Sequence, residues 1–306
     1  MLSQLPRHRR KKLRQLPHLI EIRRKFLSNR GVDLSKIFPA EDFRLKMRFE
    51  RGRPADFFAR SARAEAVLEE RRRWLKDAPE VYTAITDAGA PLLEEVLRLA
   101  AEWETLPSGG DVSPVHRLSP IEQCRWLSER WETDFLLLQP DADGVFRLHG
   151  GGLCFPSHWD LKTKMGRTVA EIHDPVPGLN DTLGKSIDGF LAKIRPGTSW
   201  ERHNWGLSRS PELNQHPSRE LARLDEKVTL EEVWWRLEDQ SLVALPKSGG
   251  VLFGIRVTVH PLGEVRAHPA AREGLLQALQ TMPEAMADYK GIGRARERIC
   301  ELLGGS

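Results

Sequence analysis

Ten histidines are spread along the 306-residue chain, and none are spaced four residues apart, the pattern that a zinc-binding helix requires. A single histidine can still do one job, the axial ligation of a haem iron. His173 suits that role, because it ends a helical stretch and Pro175, Pro177 and Gly178 stiffen the chain after it. Spacing alone leaves open the common alternative of a capping or surface histidine.

A second candidate group lies in the segment Trp200–Trp205, which reads as a strand. Alternation along a strand would put Arg202 and Asn204 on one face and Trp205 on the other. Arginine is a planar, permanently charged donor that suits carboxylates such as haem propionates. A surface strand with an ordinary charge pair is the alternative that the pattern leaves open.

Two further strands carry charge at positions that could do chemistry. Arg236, Glu238 and Gln240 recur at period two, so they should share one strand face. Arg256 stands alone in the apolar strand 251–259, where an unpaired arginine is costly. Either it meets an acid such as Glu238 across the sheet, or it binds an anionic ligand.

Other chemical motifs are missing from the sequence. It has no Walker loop, GxGxxG, HExxH or GxSxG motif, and the run Gly150–Gly152 lacks the following Lys-Ser/Thr of a phosphate loop, which favours a bulge or bend. Its cysteines, Cys124, Cys154 and Cys300, are too few and too separated for a disulfide framework, a cysteine zinc site or a four-cysteine iron–sulfur cluster. A reducing, cytoplasmic setting is therefore expected. Any electrons that the protein needs would come from another polypeptide.

The elements that must position these residues follow from hydrophobic periodicity. Steps of three and four predict helices over residues 57–103, and Ser119-Pro120 predicts the start of another that ends near Trp131. Short apolar runs separated by turns predict two strands, then helices, then three strands, then closing helices. The predicted ranges are 134–139, 145–148, 161–172, 179–194, 199–207, 233–245, 251–259, 271–289 and 295–303. This order predicts an α+β fold with an antiparallel sheet and helices on one face, as in a PAS-like domain.

Charge is distributed unevenly along the chain. The net charge is +4, but residues 1–30 alone carry +9, which leaves −5 for the remainder. We interpret residues 1–40 as a basic arm, which is either a solvated extension or a surface for an acidic partner; the composition does not determine its role, and docking to an acidic reductase or sister subunit is the interpretation we prefer. An organellar transit peptide and a nucleic-acid tether are alternatives that the composition favours less. No apolar stretch approaches the length that spans a membrane.

Ordered blocks along the chain resemble the haem-dependent oxidative N-demethylase family, which includes the haem subunit of dimethylamine monooxygenase. The similarity covers roughly residues 40–303, and the most distinctive block is Ile172–Gly178. The other blocks are Leu153–Ser157, Lys164–Gly166, Arg195–Gly197, Arg202–Trp205, His216–Pro217, Arg236–Leu242, Leu245–Gly249, Phe253–Arg256, Met282–Met286 and Tyr289–Gly291. On this basis residues 41–303 form the family-like domain, with a helical part at 41–131, a PAS-like core at 132–262 and C-terminal helices at 263–303.

The resemblance implies a PAS-like fold that holds haem b. It also implies oxidation of a secondary amine such as dimethylamine by dioxygen, with release of an aldehyde. The expected electron donor is a flavin/iron–sulfur reductase subunit, joined in some members by a folate-linked subunit. A non-catalytic alternative is a haem-binding PAS-like sensor or scaffold protein.

The resemblance also suggests roles for individual residues. His173 is the expected proximal ligand of the iron, and His203 is a weaker rival. The expected haem contacts are Phe155, Arg202, Asn204 and Trp205. The expected catalytic residues are Arg202, Glu238 and Arg256, with an arginine binding a propionate or the distal oxygen ligand and Glu238 balancing an arginine.

The sequence departs from the family pattern at two places. Asp239-Gln240-Ser241 stands where Arg-Gln-Thr is frequent, and Val257 follows Arg256 where a tyrosine is common. The chain has only two tyrosines, Tyr82 and Tyr289, so a role for tyrosine in the distal chemistry is not expected.

Overall fold

A computed structural model describes residues 33–106 and 112–304 of the chain. Most of the predicted basic arm lies outside these residues. Its last part is packed: Leu34–Ile37 forms a short helix, α1, and Ile37 and Phe38 are buried against the C-terminal helices. The Phe43 N–H donates to Thr281 Oγ1 at 2.8 Å in the same region. The packed part of the chain therefore begins before residue 41.

A seven-stranded antiparallel sheet organises the described residues, in the order β1-β5-β6-β7-β3-β4-β2. The strands are β1 Glu50–Arg51, β2 Thr83–Ile85, β3 Asp134–Pro140, β4 Phe146–Gly152, β5 Ser199–Ser208, β6 Trp234–Ala244 and β7 Val251–Pro261. The five longer strands agree closely with those predicted. The two short strands at the sheet edges were not predicted, because two or three residues are too few to show alternation.

Helices flank the sheet in sequence and in space, which confirms the α+β class. The helices that the structure describes are α1, α2 Pro54–Phe58, α3 Ala64–Asp77, α4 Pro79–Tyr82, α5 Ala90–Glu102, α6 Pro120–Ser128, α7 Val169–His173, α8 Lys185–Lys193, α9 Leu262–Ala267, α10 Pro269–Thr281, α11 Glu284–Tyr289 and α12 Arg296–Gly304. Helix α6 begins where Ser119-Pro120 predicts, and the Glu122 carboxylate accepts the Ser119 N–H at 2.9 Å.

Both faces of the sheet are covered, although the sequence predicted helices on one face only. Odd-numbered residues of β6, such as Trp235 and Leu237, pack against the C-terminal helices, and Val243 packs against α5 and its neighbours. Even-numbered residues, such as Leu242, pack in a separate cluster on the opposite face. We call this second face the site face. The C-terminal helices α9 to α12 thus cover one face of the sheet, whereas residues of the N-terminal helices α3 and α4 pack on the other face together with the central part of the chain.

The segment 162–194 lies over the site face, and we call it the cap. It contains α7, α8 and a π-helical turn at Asn180–Gly184 that runs directly into α8. The prediction already separated its two helices at Pro175 and Pro177. The first is shorter than predicted, because residues Lys162–Lys164 form a 3-10 turn and α7 begins only at Val169, whereas the second corresponds to the π-helical turn together with α8. Leu191 is the one fully buried hydrophobic residue that the cap contributes. A π-helical turn often marks a functional position in a helix.

The glycine run of β4 is explained by packing. β4 lies between β2 and β3, and the β3–β4 register shifts at Leu137/Leu138, opposite Gly150. Side chains at Gly151 and Gly152 would collide with the Phe135 carbonyl oxygen and with Ser128 Oγ. The run therefore marks an irregular, crowded part of the sheet, as expected for a bulge.

Among the residues that the structure describes, no helix combines the length and the apolar character needed to cross a membrane.

Candidate functional site

Polar side chains of β5 and β6 lie together on the site face. The two strands pair antiparallel in continuous register, with Arg202 opposite Gln240 and Asn204 opposite Glu238. Residues opposite each other in such a pair point to the same face. Arg236 lies two residues before Glu238 on β6, so it shares this face. The period-two pattern therefore placed Arg202 with Asn204, and Arg236 with Glu238, correctly on their own strands, but it did not predict that these two sets are neighbours.

The Glu238 carboxylate is held by neutral donors. Asn204 Nδ2 donates to Oε2 at 3.1 Å, and Gln240 Nε2 donates to the same oxygen at 3.0 Å. The Ser157 hydroxyl donates to Oε1. Within the described part of the chain, no arginine, lysine or histidine lies within salt-bridge distance of this carboxylate. It is oriented but has no cation in contact with it.

Ser157 joins the carboxylate to a buried arginine. Arg236 Nε donates to Ser157 Oγ at 2.7 Å, and Arg236 Nη2 donates to the Phe155 carbonyl oxygen at 2.6 Å. Burial lowers the pKa of Arg236 to about 10, and Glu238 opposes that shift. The guanidinium therefore stays protonated at neutral pH. We call Ser157, Asn204, Arg236, Glu238 and Gln240 the carboxylate cluster.

The end of α11 adds two more titratable groups near this cluster. Lys290 Nζ donates to the Trp205 carbonyl oxygen at 2.8 Å and lies 5.1 Å from the Trp205 ring centroid. Burial lowers the pKa of Lys290 to about 8, with Glu238 raising it and Arg202 lowering it further. Burial and the Glu238 charge both raise the pKa of Tyr289. Sequence patterns did not indicate this proximity, because about 50 residues separate these groups from Glu238.

His173 is the last residue of α7 in the cap. The helix begins with a capping box, in which the Thr168 hydroxyl accepts the Glu171 N–H at 3.1 Å and the Glu171 carboxylate accepts the Thr168 N–H at 2.7 Å. Burial is the main cause that lowers the pKa of His173, and Arg202 and Lys164 lower it further. Its Nδ1 is buried and has no hydrogen-bond partner among residues 33–106 and 112–304. A neutral imidazole with an unpaired ring nitrogen is what metal ligation requires.

Arg202 is the second residue whose environment leaves its side chain available to a cofactor. Its side chain is half-buried, and its guanidinium lies 5.9 Å from the Phe49 ring centroid. Burial lowers the pKa of Arg202, and Glu238 raises it. No carboxylate in the described ranges lies within salt-bridge distance of the guanidinium. A desolvated arginine without an acid suits an anionic group such as a propionate.

The cap presents apolar side chains toward the site face without burying them completely. Leu191 is buried there, whereas the larger part of its apolar set is half-buried. The half-buried members are Met165, Val169, Ile172, Ile187, Phe190 and Ile194. The Phe190 ring stacks on the Phe49 ring at 4.6 Å between centroids. An apolar enclosure with one imidazole and one arginine fits a haem, which needs an axial ligand, a carboxylate partner and an apolar surround.

The rings of Phe155 and Trp205, which were expected to contact the haem, pack against other residues. The Phe155 ring is buried under the Arg71 guanidinium, 5.2 Å away, and the residue reaches the cluster through its carbonyl oxygen. The Trp205 ring points to the opposite face, where it packs edge-on against Phe38 at 5.4 Å. The alternation on β5 explains the position of Trp205, since Asn204 occupies the site face.

Arg256 also lies on the opposite face, and its partner is an acid other than Glu238. Its guanidinium donates to Glu132 Oε2 at 2.8 Å and to the carbonyl oxygens of Phe57 and Ala59 at 2.6 and 2.9 Å. On β7 it stands opposite Asp239, not Glu238. The arginine that reaches the Glu238 network is Arg236, so the positions do not support a role for Arg256 beside the cofactor.

His203, the rival ligand, is exposed on that same opposite face. Its Nδ1 is 2.6 Å from Asp239 Oδ1, and this hydrogen bond is the main cause that raises its pKa. A histidine paired with a carboxylate at the surface is already satisfied. His173 is therefore the better candidate of the two.

A comparison with protein-family models matches residues 59–300 to a family described as haem-dependent oxidative N-demethylase, alpha subunit-like. The match covers more than half of the chain, so the protein belongs to this family.

Proposed function

We propose that this member of the haem-dependent oxidative N-demethylase alpha subunit-like family binds haem b under its cap and removes a methyl group from a secondary amine such as dimethylamine. The observation that carries the proposal is the pairing of two features at one sheet face. The cap supplies His173, whose buried Nδ1 has no described partner. The sheet supplies the Glu238 carboxylate, which only neutral groups contact among the described residues.

His173 and Arg202 are the residues that would hold the cofactor. His173 would ligate the iron, because its lowered pKa keeps the imidazole neutral. Arg202 would pair with a propionate, because its half-buried guanidinium is partly desolvated and lies within salt-bridge distance of no carboxylate in the described ranges. When bound, haem supplies the chemistry by which dioxygen is reduced and the amine oxidised.

Glu238 would bind the amine. A dialkylamine is protonated at neutral pH, and its ammonium group needs an anionic partner that is not already neutralised. Asn204, Gln240 and Ser157 orient the carboxylate, while Arg236 is bonded to Ser157 rather than to Glu238 itself. The Glu238 carboxylate is therefore available to pair with a cation, and its neighbours hold it in one orientation.

The reaction balances with two external electrons. One dimethylamine, one dioxygen, two electrons and two protons yield one methylamine, one formaldehyde and one water. The three free cysteines, of which Cys124 and Cys154 are buried, do not form an iron–sulfur ligand set in this structure. We infer that a partner subunit with flavin and an iron–sulfur cluster supplies the electrons, and that a folate-linked subunit captures formaldehyde where one is present.

The strand order supports a PAS-like core. Among the five longer strands, β3 and β4 come before the cap in the chain and β5, β6 and β7 follow it, and their spatial order within the larger sheet is β5-β6-β7-β3-β4. In this arrangement the segment between β4 and β5 crosses one face of the sheet. That is the place where a PAS-like domain would enclose a ligand.

Spectroscopy and turnover together test the proposal. Protein expressed with added haem precursor should show a Soret band and bind haem one to one. With a surrogate ferredoxin and ferredoxin reductase, and with catalase present, it should release equal amounts of formaldehyde and methylamine from dimethylamine. A protein that stays colourless after haem reconstitution contradicts the proposal. A haem protein that turns over no methylated amine would instead support the sensor or scaffold role.

A further inference from the structure

Gly206 is an unexplained glycine in the middle of a regular strand on the site face. It stands two residues after Asn204 on β5 and opposite Arg236 on β6, so its missing side chain would point toward the carboxylate cluster. A Cβ at this position would lie more than 4 Å from every described atom other than those of its two chain neighbours. The space beside the cluster is therefore open at this point.

Packing does not require glycine at position 206. At Gly254 on β7, by contrast, a Cβ would fall 2.6 Å from Phe58 Cζ, so that glycine is needed for the fold. The backbone does not require glycine at Gly206 either, because its φ lies outside the left-handed region that favours this residue. The β5–β6 register runs without a shift through this position, so no bulge explains it.

A glycine in a strand interior carries a cost, because it loses more conformational freedom on folding than any other residue. A glycine in a strand interior often marks a bulge, a bend, or a place where a ligand or another backbone approaches closely, so where a bulge, a bend and a close backbone are all absent from the described residues, a ligand is the reason that remains among these. Gly206 meets this description. The group that approaches must be compatible with the side chains around it on this face. Arg236 stands directly opposite on β6, with Glu238 and Trp234 two residues to either side of it, and Asn204 and Ser208 flank Gly206 on β5.

These neighbours indicate which part of a ligand lies at Gly206. The Glu238 carboxylate attracts the cationic nitrogen, and Arg236 has its Nε and Nη2 hydrogen-bonded to Ser157 and Phe155. A glycine offers no polar side-chain group of its own, so it suits an uncharged alkyl substituent. We propose that Gly206 receives one N-alkyl group of the bound ammonium and thereby sets the size of secondary amine that the site accepts. This inference rests on the proposed function.

A graded set of variants tests the inference. Gly206→Ala and Gly206→Val add volume where the structure has room for a Cβ, so both should fold and bind haem as the wild type does. Each should be compared on dimethylamine, ethylmethylamine and diethylamine by kcat/KM and by calorimetric titration of the holoprotein. We expect Gly206→Val to lower the affinity and kcat/KM for diethylamine at least tenfold more than for dimethylamine. The effect of Gly206→Ala should lie between those of the wild type and Gly206→Val.

The matched control is Gly263→Val. Gly263 lies in α9, whose buried residues Leu262 and Val265 pack on the face opposite the site face, and a Cβ there also meets no described atom within 4 Å. Its amine preference should stay within twofold of the wild type. If Gly206→Val keeps the wild-type preference within the same margin, the inference is overturned. A loss of haem from the Gly206 variants would also overturn it, because the cofactor rather than the amine would then occupy this space.

The two proposals fail in different ways. If the wild-type holoprotein neither binds nor demethylates any of the three amines, the proposed function fails and takes the inference about Gly206 with it. If the wild type is active and the ranking of the three amines does not change in Gly206→Val, only the inference about Gly206 fails.

Discussion

The Ser157 hydroxyl donates a hydrogen bond to Glu238 Oε1 while its oxygen accepts the Nε–H of the buried Arg236 at 2.7 Å. The serine therefore separates the arginine from the carboxylate by one hydroxyl group, and both its donor and its acceptor function are used. Because the guanidinium does not contact Glu238 directly, the carboxylate is positioned without being neutralised by a contact ion pair.

Ser157→Ala should destabilise the protein. The change leaves Arg236 Nε buried without its partner, and an unsatisfied buried donor of this kind costs about 1–3 kcal/mol. Urea unfolding of the holoprotein would measure this. Ser157→Thr keeps the hydroxyl and serves as the control, with a loss below about 1 kcal/mol expected. Equal stability of the alanine variant and the wild type would mean that the bridge contributes nothing.

Glu238→Gln should weaken amine binding. The amide keeps the shape of the side chain but removes the negative charge that would pair with the ammonium. Hydrogen bonds to charged groups contribute about 1.5–3 kcal/mol, which corresponds to roughly a tenfold to a hundredfold loss in kcat/KM. Asp239→Asn is the matched control, because Asp239 is the next residue on β6 and faces away from the site. A similar loss in both variants would contradict the role assigned to Glu238.

His173→Ala should remove the axial ligand. We expect loss of bound haem, or a shifted Soret band if the cofactor stays in the apolar enclosure, with addition of imidazole restoring part of the wild-type spectrum. The haem content, measured as the pyridine haemochrome, checks this. His203→Ala removes the exposed histidine that is paired with Asp239 and should leave the spectrum unchanged. The reverse result would make His203 the ligand.

Arg256→Met should reduce stability and leave the cofactor untouched. It breaks an ion pair with Glu132, whose carboxylate side chain is 5% exposed, and it leaves the Phe57 and Ala59 carbonyl oxygens without that donor. Breaking a largely buried pair costs about 2–4 kcal/mol. Arg53→Met, which breaks an exposed pair with Asp56, should cost less than about 0.5 kcal/mol. A changed Soret band in Arg256→Met would place Arg256 at the cofactor after all.

Lys290 should make the free energy of unfolding rise with pH between about 8 and 10.5. Burial lowers its pKa from 10.5 to about 8 in the folded protein, so between these values the unfolded chain binds the extra proton. Stability therefore rises with pH across that window through this group, and the contribution is lost as the pH falls through about 8. Lys290→Met and Lys290→Arg should both lose this rise in denaturant unfolding measured at several pH values, since neither side chain titrates there. An unchanged slope in both variants would contradict a buried, titrating Lys290.

The longer strands, and the face on which each polar residue of β5 and β6 lies, could be predicted because strand periodicity is local. Alternation over residues 199–207 and 233–245 gave nearly the observed ends of β5 and β6, and it placed Arg202, Asn204, Arg236 and Glu238 correctly on their strand faces. The same rule explains why Trp205 faces away from Asn204. Which strand face would meet the cap was not available from periodicity, because both faces of β6 carry buried apolar residues.

The cap was harder to predict, since the helix expected at 161–172 is a 3-10 turn followed by a short helix from Val169, and the helix expected at 179–194 begins with a π-helical turn. The short edge strand β2 was missed for a related reason: it directly follows α4, and its pairing with the β4 glycine run is visible only in three dimensions. Local propensity gives way to tertiary packing at both places.

The sequence by itself determined the family, the α+β class and the residue types available for chemistry, because motifs and periodicity are properties of neighbouring residues. The tertiary structure decided which of them meet. It paired Arg256 with Glu132, joined Arg236 to Glu238 through Ser157, and brought Lys290 within electrostatic range of the cluster. These contacts join residues far apart in the chain, and their partners depend on which sheet face each segment covers. No local pattern encodes that choice.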